Sequence, residues 1–314
     1  MSGEQFIFPL YHLVSNNPPA HVKNLYNVTP VKHFLNDLDF LLQNFQPASI
    51  NDVINYIKEG KKSTKPFFFL SFDDGMRECY EVVYPILKQK GLEAAFFINP
   101  AFVDNKNLFY RSKISLIIDQ IQKNGKIFEL SDFLKIYPIS TAKVIDKIST
   151  LKYSDIDIIE KAGKKIGIDF NEYLDTYKPY MTLLQIKELQ ENGFLIGSHS
   201  YDHPKFWEIS ELEMREQIKS SFDFIDNIIQ LKVRSFAFPF SDIETPISFF
   251  NFLTEEIKLD VSFGTAGIKI DTEPVHIQRI PMDVELKSAE RIIKKEYGYF
   301  VFKFLFGKNL INRK

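Results

Sequence analysis

The chain contains an unbroken run of four apolar residues, Phe67-Phe68-Phe69-Leu70, just after a break rich in Lys, Ser and Pro. An apolar run of this length predicts a strand that is covered on both faces, as in a parallel sheet between helices. The segment Met76 to Lys90 has apolar residues at helical spacing and Gly91 at its end, and Ala94 to Ile98 is a second apolar run. Strand, helix and strand in this order favour an α/β fold with a parallel sheet.

The same alternation recurs on both sides of this unit. Helices are predicted over residues 30–45, 50–58, 182–192, 210–229 and 247–257, and strands over residues 6–11, 194–196, 235–238, 261–263 and 277–280. Residues from about Asp104 to Tyr180 show helical spacing of apolar residues and no convincing strand, so we expect a helical insertion at 104–180. The pattern predicts a parallel α/β barrel in one catalytic domain over 1–314, with an aromatic and basic C-terminal extension at 284–314.

Composition excludes several classes of protein. With 314 residues and 45% apolar content the chain can bury a full core, and its net charge of −2 argues against nucleic acid as a partner. The single cysteine, Cys79, rules out an internal disulfide framework. Residues 1–5 carry no basic signal-like region, and no segment approaches the ~18 apolar residues of a spanning helix. We therefore expect a cytoplasmic protein.

Two polar motifs follow predicted strands: Ser71-Phe72-Asp73-Asp74-Gly75 and His199-Ser200-Tyr201-Asp202-His203-Pro204. Two adjacent carboxylates at a buried strand end are costly unless they are solvated, as in an exposed Asp-Asp-Gly turn, or bound to an ion. Two histidines four residues apart in a loop can face one ion. A catalytic zinc site takes three N or O ligands and keeps one position open. Together the motifs predict a metal site with one carboxylate left over as a base.

In these two motifs the chain resembles the polysaccharide deacetylases of the NodB-homology type, whose Thr/Ser-Phe-Asp-Asp-Gly and His-Ser/Thr-x-x-His-Pro motifs it carries in full. The resemblance implies a distorted, incomplete (β/α) barrel with fewer than eight strands. It implies a divalent metal ion, usually zinc, held by Asp74, His199 and His203. It also implies that Asp73 is the general base.

A third motif of that family resembles Phe236 to Ser241, with Phe in place of two tyrosines and Ser in place of a glycine. The resemblance assigns binding of the reaction's oxyanion to the backbone N–H of Phe240. Many members pair the base with an arginine in this motif, but the chain has Ala237 there. We therefore expect Arg279 or Arg234 to orient the base.

The residue that protonates the departing amine is less well marked. The family's late Leu-x-His motif is not recognisable, which leaves His276 and His12 as candidate general acids. Leu10-Tyr11-His12 and Arg279-Ile280-Pro281 resemble features of the subgroup that acts on exopolysaccharide or surface-glycan precursors. Trp207 is a candidate platform for a sugar ring, although a lone tryptophan is more often part of the core.

The resemblance thus implies a metal-dependent hydrolase that removes N-acetyl groups from an amino sugar in a polysaccharide or surface-glycan precursor. Two alternatives remain: a catalytically impaired glycan-binding or assembly protein on the same barrel, and a cyclic-imide or ureide hydrolase with a closed pocket. The aromatic and basic segment 297–308 predicts either a peripheral membrane contact or a final element that packs on the barrel or a second copy.

Overall fold

The computed structural model describes residues 6–59 and 65–313. The strands are β1 (Phe6–Ile7), β2 (Pro9–Tyr11), β3 (Gln46–Pro47), β4 (Phe67–Phe68), β5 (Leu70–Phe72), β6 (Ala94–Ile98), β7 (Leu195–Ser198), β8 (Ser235–Ala237), β9 (Val261–Gly264), β10 (Ile270–Asp271), β11 (His276–Gln278), β12 (Ile280–Pro281) and β13 (Leu310–Ile311). The helices are α1 (Val31–Asn44), α2 (Ile50–Glu59), α3 (Tyr84–Lys90), α4 (Tyr110–Asn124), α5 (Ile127–Leu134), α6 (Thr141–Ser149), α7 (Ile156–Lys165), α8 (Phe170–Tyr177), α9 (Leu183–Glu191), α10 (Glu211–Ile228), α11 (Ile247–Glu255) and α12 (Ala289–Leu305).

Eight parallel strands form one sheet in the order β11-β9-β8-β7-β6-β5-β2-β12. The strands β11 and β12 are separated only by Arg279, yet β11 pairs with β9 and β12 pairs with β2. One short stretch of chain therefore joins the two edges of the sheet and nearly closes it. The predicted distorted (β/α) barrel is confirmed, but the expectation of fewer than eight strands is wrong, because the sheet has eight.

The barrel strands are buried on both faces, which is why they read as continuous apolar runs. Every residue of β6 is buried. Ala95 and Phe97 pack inside the barrel with Phe8 and Phe263, whereas Phe96 on the next face packs with the helices outside. This alternation follows from the two-residue period of a strand.

Four predicted elements are interrupted in the structure, among them the strands predicted over 6–11 and 277–280, which divide at Phe8 and Arg279. The run over residues 67–70 divides at Phe69: β4 joins β1 and β3 in a separate sheet, and β5 enters the barrel. The predicted helix from Met76 begins with a π-helical turn at Cys79–Val83 before α3. Pro85 lies at the start of α3. It has no N–H to donate, so the α-helical ladder is interrupted there.

The helices α4 to α8 occupy the stretch between β6 and α9, with no strand among the described residues of that stretch. Its far end is tied to the first polar motif, because the Met181 N–H donates to the Gly75 carbonyl at 3.0 Å and Tyr180 bridges to Met76. After the barrel, α12 packs on α1, and the Ala289 N–H donates to the Asp37 carboxylate of α1 at 2.8 Å. Within residues 6–59 and 65–313, no helix combines the length and apolar character needed to cross a bilayer.

Candidate active site

Both polar motifs lie at the same end of the barrel. Asp73 and Asp74 directly follow β5, and His199 directly follows β7. The strands β5, β6 and β7 are parallel neighbours, so their carboxyl ends meet at one edge. Asp73 and Asp74 are only 1% and 6% exposed, which excludes a solvated Asp-Asp-Gly turn.

Three side chains of the two motifs converge on a small triangle. The His203 Nε2 lies 3.1 Å from the His199 Nε2 and 3.2 Å from the Asp74 Oδ1, and the third side is 3.5 Å. Ligands about 2.0–2.1 Å from a tetrahedral zinc ion would be about 3.3–3.4 Å apart, close to these three distances. The set Asp74, His199 and His203 therefore fits a divalent ion of this kind.

The hydrogen bonds around the triangle leave its inner atoms available. The His199 Nδ1 lies 2.8 Å from the Ala237 carbonyl, which can only accept, so this nitrogen carries the proton and Nε2 keeps its lone pair. The Asp74 Oδ1 is buried and accepts no hydrogen bond from the described residues.

The backbone at this site is held in a conformation that most residues avoid. Asp74, Ser200, His203 and Phe240 all have positive φ angles, between 58° and 72°. Non-glycine residues in this left-handed region cost of order 1–3 kcal/mol each and concentrate at functional sites. The Ser200 hydroxyl helps to hold the second motif by accepting a hydrogen bond from the His203 N–H at 3.1 Å.

Asp73 lies beside the triangle and is paired with Arg279. Two guanidinium nitrogens donate to its two oxygens at 2.7 and 2.8 Å, and Arg279 also donates to the Ser71 hydroxyl. Burial raises the pKa of Asp73, but Arg279 outweighs burial and lowers the pKa below its usual value. Of the two predicted partners it is thus Arg279 that meets this carboxylate. Arg234 instead pairs with Asp226 at the surface.

Phe240 follows β8 and reaches the same cavity. Its positive φ of 58° turns the backbone at this residue, and its carbonyl accepts a hydrogen bond from the Thr265 hydroxyl at 2.8 Å. No acceptor for the Phe240 N–H is found among the described residues. Its ring packs against the edge of the His203 ring.

His12 and Asp283 form a second pair at the cavity. The His12 Nδ1 lies 2.7 Å from the Asp283 Oδ2, and the His12 backbone N–H donates to the same oxygen. Burial lowers the pKa of His12, but the Asp283 carboxylate outweighs it and raises the pKa to about 10. His12 is therefore a protonated imidazole at neutral pH, with its side chain 25% exposed.

His276, the other candidate acid, does not line this cavity. It lies on the outer face of β11, with Nε2 3.0 Å from the Asp242 Oδ2 and Nδ1 2.7 Å from the Ser262 hydroxyl. Asp242, Asp271 and His276 have the composition of a second metal site. The guanidinium of Arg313 already contacts the Oδ2 atoms of both aspartates, so the cluster holds an arginine cation instead.

The cavity has a volume of about 410 Å³. The lining residues with an imidazole, carboxylate or guanidinium group are His12, Asp73, Asp74, Arg111 and His203, and the Tyr and Phe residues of the lining are Tyr26, Phe109, Phe238 and Phe240. Trp207 does not line it; the indole is 42% exposed and contacts the Phe240 ring from outside. Phe109 and Arg111 lie at the start of α4, so the helical insertion contributes to the cavity wall.

Sequence reasoning did not identify Asp283, Phe109 or Arg111 as site residues. Asp283 stands two positions after Pro281, in a stretch already marked by Arg279, and a search of that stretch for a carboxylate partner of His12 could have found it. No comparable signal marks Phe109 or Arg111, because they lie in the insertion outside the motifs.

One comparison with known proteins identifies a family for this chain. The family model described as "Polysaccharide deacetylase" matches residues 60–131 and 164–249, together about half of the chain. No curated protein sequence matches it.

Several solved structures have the same fold. A deacetylase from Streptococcus pyogenes, PplD, in complex with acetate aligns with a TM-score of 0.58 and 14% identity, covering 92% of this chain and 96% of its own. IcaB from Ammonifex degensii aligns with a TM-score of 0.58 and 15% identity, covering 93% of this chain and 97% of its own. A de-N-acetylase from Aggregatibacter actinomycetemcomitans aligns with a TM-score of 0.55 and 16% identity, covering 93% of this chain and 99% of its own. At these identities the likeness establishes the fold alone.

Proposed function

Because this chain belongs to the polysaccharide deacetylase family, hydrolases of C–N amide bonds, we propose that it removes N-acetyl groups from an amino sugar in a polysaccharide or surface-glycan precursor. The observation that carries the proposal is the placement of Asp73, paired with Arg279, beside the triangle of Asp74, His199 and His203. A base next to a cation site is an arrangement suited to hydrolysis of an amide.

We further propose that the reaction depends on a divalent metal ion, most simply zinc, held by Asp74, His199 and His203. When bound there, such an ion supplies Lewis-acid polarisation and lowers the pKa of water. The buried Asp74 Oδ1 faces both imidazole Nε2 atoms and has no hydrogen-bond donor among the described residues, which supports a bound cation.

Asp73 is the proposed general base. Each of its oxygens accepts one hydrogen bond from Arg279 and keeps a second lone pair. Arg279 thus fixes the plane of the carboxylate and keeps it ionised without blocking it. In the proposed step Asp73 takes a proton from the water that attacks the acetamide carbonyl carbon.

Phe240 would stabilise the negative charge on the carbonyl oxygen, and His12 would protonate the departing amine. The Phe240 N–H donates to the carbonyl oxygen as negative charge develops on it. The protonated His12 gives its proton to the nitrogen as the C–N bond breaks, so the products are acetate and a free amine. Asp283 keeps His12 charged and aimed.

The alternative of an impaired binding protein came from two apparent gaps, the alanine at position 237 and the missing late histidine. Arg279 supplies the guanidinium that position 237 lacks, and His12 supplies a charged imidazole in the cavity. Both observations favour a working hydrolase over a binding protein.

The test is the metal content of the purified protein together with acetate release from acetylated glucosamine oligomers of several lengths. We expect about one divalent ion per chain and acetate in step with free amine. Metal-loaded protein that releases no acetate from any acetylated glycan would refute the proposal. The Asp73→Asn variant controls for contaminating activity.

We also propose that α12 contacts a membrane surface. Its end exposes Phe302, Phe304, Leu305 and Phe306, each more than half exposed. Residues 291–308 contain five basic residues and one acidic residue, a balance that complements anionic lipids. A deacetylase at a bilayer would be close to lipid-linked glycan precursors.

A further inference from the structure

The loop that carries Phe240 ends in a buried ionic network. Asp242 and Asp271 bring two carboxylates into the protein interior, and their side chains are fully buried. One cation, the guanidinium of Arg313, lies between them and is itself only 2% exposed. Buried carboxylates require such a partner, because an isolated charge in the interior is costly.

The guanidinium of Arg313 contacts Asp242, Asp271 and Phe250. Its Nη2 contacts the Oδ2 atoms of both aspartates, its Nε donates to the Asp271 Oδ1 at 3.1 Å, and its Nη1 donates to the Asp242 backbone carbonyl. The guanidinium also lies 4.7 Å from the centre of the Phe250 ring. Arg313 therefore holds both the side chain and the backbone of Asp242.

A strand pair delivers Arg313 to this network. The last strand, β13, pairs in parallel with β10, so that Ile311 lies opposite Asp271. Arg313 follows two residues later and turns into the protein.

The network borders the proposed oxyanion donor. Asp242 stands two residues after Phe240, and the loop is fixed on the other side by the Phe238 N–H, which donates to the Phe263 carbonyl at 2.9 Å. Between these two anchors the Phe240 carbonyl is held by Thr265. The Asp242 Oδ2 also accepts a hydrogen bond from the Gln278 Nε2 at 2.8 Å and lies 3.0 Å from the His276 Nε2. The backbone on the two sides of Phe240 is therefore held by Phe263 of β9 and by the network around Asp242.

We propose that Arg313 is a positioning residue, which holds the loop of residues 238–245 so that the Phe240 N–H points into the catalytic cavity. The inference rests on the proposed function for its catalytic consequence, and on geometry alone for its effect on the loop. Arg313 touches no lining residue of the cavity and acts only through Asp242.

The experiment compares Arg313→Gln with Arg215→Gln in the full chain. Arg215 is a matched control because it also pairs with two carboxylates, Glu211 and Glu256, and lies 4.7 Å from the centre of an aromatic ring, that of Phe252. We expect the hydrogen-bonded backbone amides of this loop, those of Ser241, Ile243 and Thr245, to exchange hydrogen at least about tenfold faster in Arg313→Gln and at the normal rate in Arg215→Gln. Unchanged exchange in Arg313→Gln would overturn the proposal.

Kinetics give the second readout. For Arg313→Gln we expect kcat to fall about 10- to 100-fold, less than the ~10²–10³ for loss of an oxyanion donor, with KM and bound metal unchanged. Arg313→Lys, which keeps the charge but not the fork, should recover part of the rate. A fall in metal content equal to the fall in rate would contradict positioning. If the wild-type protein releases no acetate the proposed function fails, yet the exchange measurement still decides the role of Arg313.

Discussion

Arg279 donates two hydrogen bonds of 2.7 and 2.8 Å to the carboxylate of Asp73, which lies 206 residues earlier in the chain. Both side chains are at most 1% exposed. The guanidinium also lies 5.4 and 5.9 Å from the centres of the Phe97 and Phe263 rings inside the barrel. A buried carboxylate that loses its paired guanidinium loses its main counter-charge. The pair is therefore a point where the fold and the proposed chemistry depend on the same contact.

Replacing Arg279 by Gln should destabilise the protein by about 3–5 kcal/mol, the usual cost of breaking a buried pair by removing one partner. Arg279→Lys keeps the charge but loses the fork, so it should be more stable than Arg279→Gln and still slow. Thermal unfolding and kcat are the measurements. The control is Arg234→Gln, whose partly exposed pair with Asp226 should contribute no more than about 1 kcal/mol. Equal losses of stability in Arg279→Gln and Arg234→Gln would contradict the assignment.

Asp73→Asn should separate the base from the metal site. The amide has nearly the same shape as the carboxylate but cannot take a proton from water, so kcat should fall by about 10²–10⁴. Asp74, His199 and His203 are unchanged, so metal content measured by elemental analysis should match the wild type. An Asp73→Asn protein that hydrolyses acetylated glucosamine oligomers at the wild-type rate would remove Asp73 from the mechanism.

The barrel could be predicted from sequence because its strands are short apolar runs that alternate with amphipathic helices, a local signal. The three residues of the triangle were equally accessible, because they lie in two compact motifs. The pair of His12 with Asp283 was harder to predict, because its members lie 271 positions apart and meet only when β12 pairs with β2.

The two candidate acids show how strand geometry could have sharpened the prediction. Ile277 packs towards the barrel interior, as Arg279 does two residues later, whereas His276 and Gln278 both turn to Asp242 on the other face. A strand's two-residue period places His276 and Arg279 on opposite faces, so they could not both serve one site. The alternation of faces could therefore be predicted from the sequence, but the break between β11 and β12 at Arg279 could not.

Removing a ligand of the triangle should abolish metal binding. Zinc at about one hundred times its dissociation constant should stabilise the wild type by about 2.7 kcal/mol relative to the chelator-treated protein. Asp74→Ala and His203→Ala should show little of this gain, because each removes one of only three protein ligands. His33→Ala is the control, since His33 lies on α1 outside the cavity. Full zinc stabilisation in Asp74→Ala would show that the ion binds elsewhere.

The His12 and Asp283 pair predicts the alkaline limit of activity. A general acid must be protonated, and the pKa of His12 is raised from its ordinary 6.5 to about 10. The rate should therefore persist through neutral pH and fall only as pH rises through about 10. In Asp283→Asn the main cause that raises this pKa is gone while burial still lowers it, so the alkaline limb should move down by several pH units. Profiles of kcat against pH that coincide for the two proteins would exclude His12 as the acid.

The exposed end of α12 should bind anionic vesicles. Fully burying a large apolar side chain contributes about 1.5–3 kcal/mol, so replacing Phe302, Leu305 and Phe306 by Ser should lower partitioning onto vesicles by at least about tenfold. The vesicles are phosphatidylcholine with about a quarter phosphatidylserine, and added salt should weaken binding because the basic residues contribute.

Leu184 and Leu212 are the matched controls for that membrane contact, since they are 78% and 66% exposed on α9 and α10. Replacing both by Ser should leave partitioning unchanged if the end of α12 is the contact surface. Sedimentation of the wild type and the triple variant tests whether this surface instead binds a second copy of the chain. If the wild type is a dimer that ignores vesicles and the variant is a monomer, the exposed end of α12 binds a second copy and the membrane proposal is wrong.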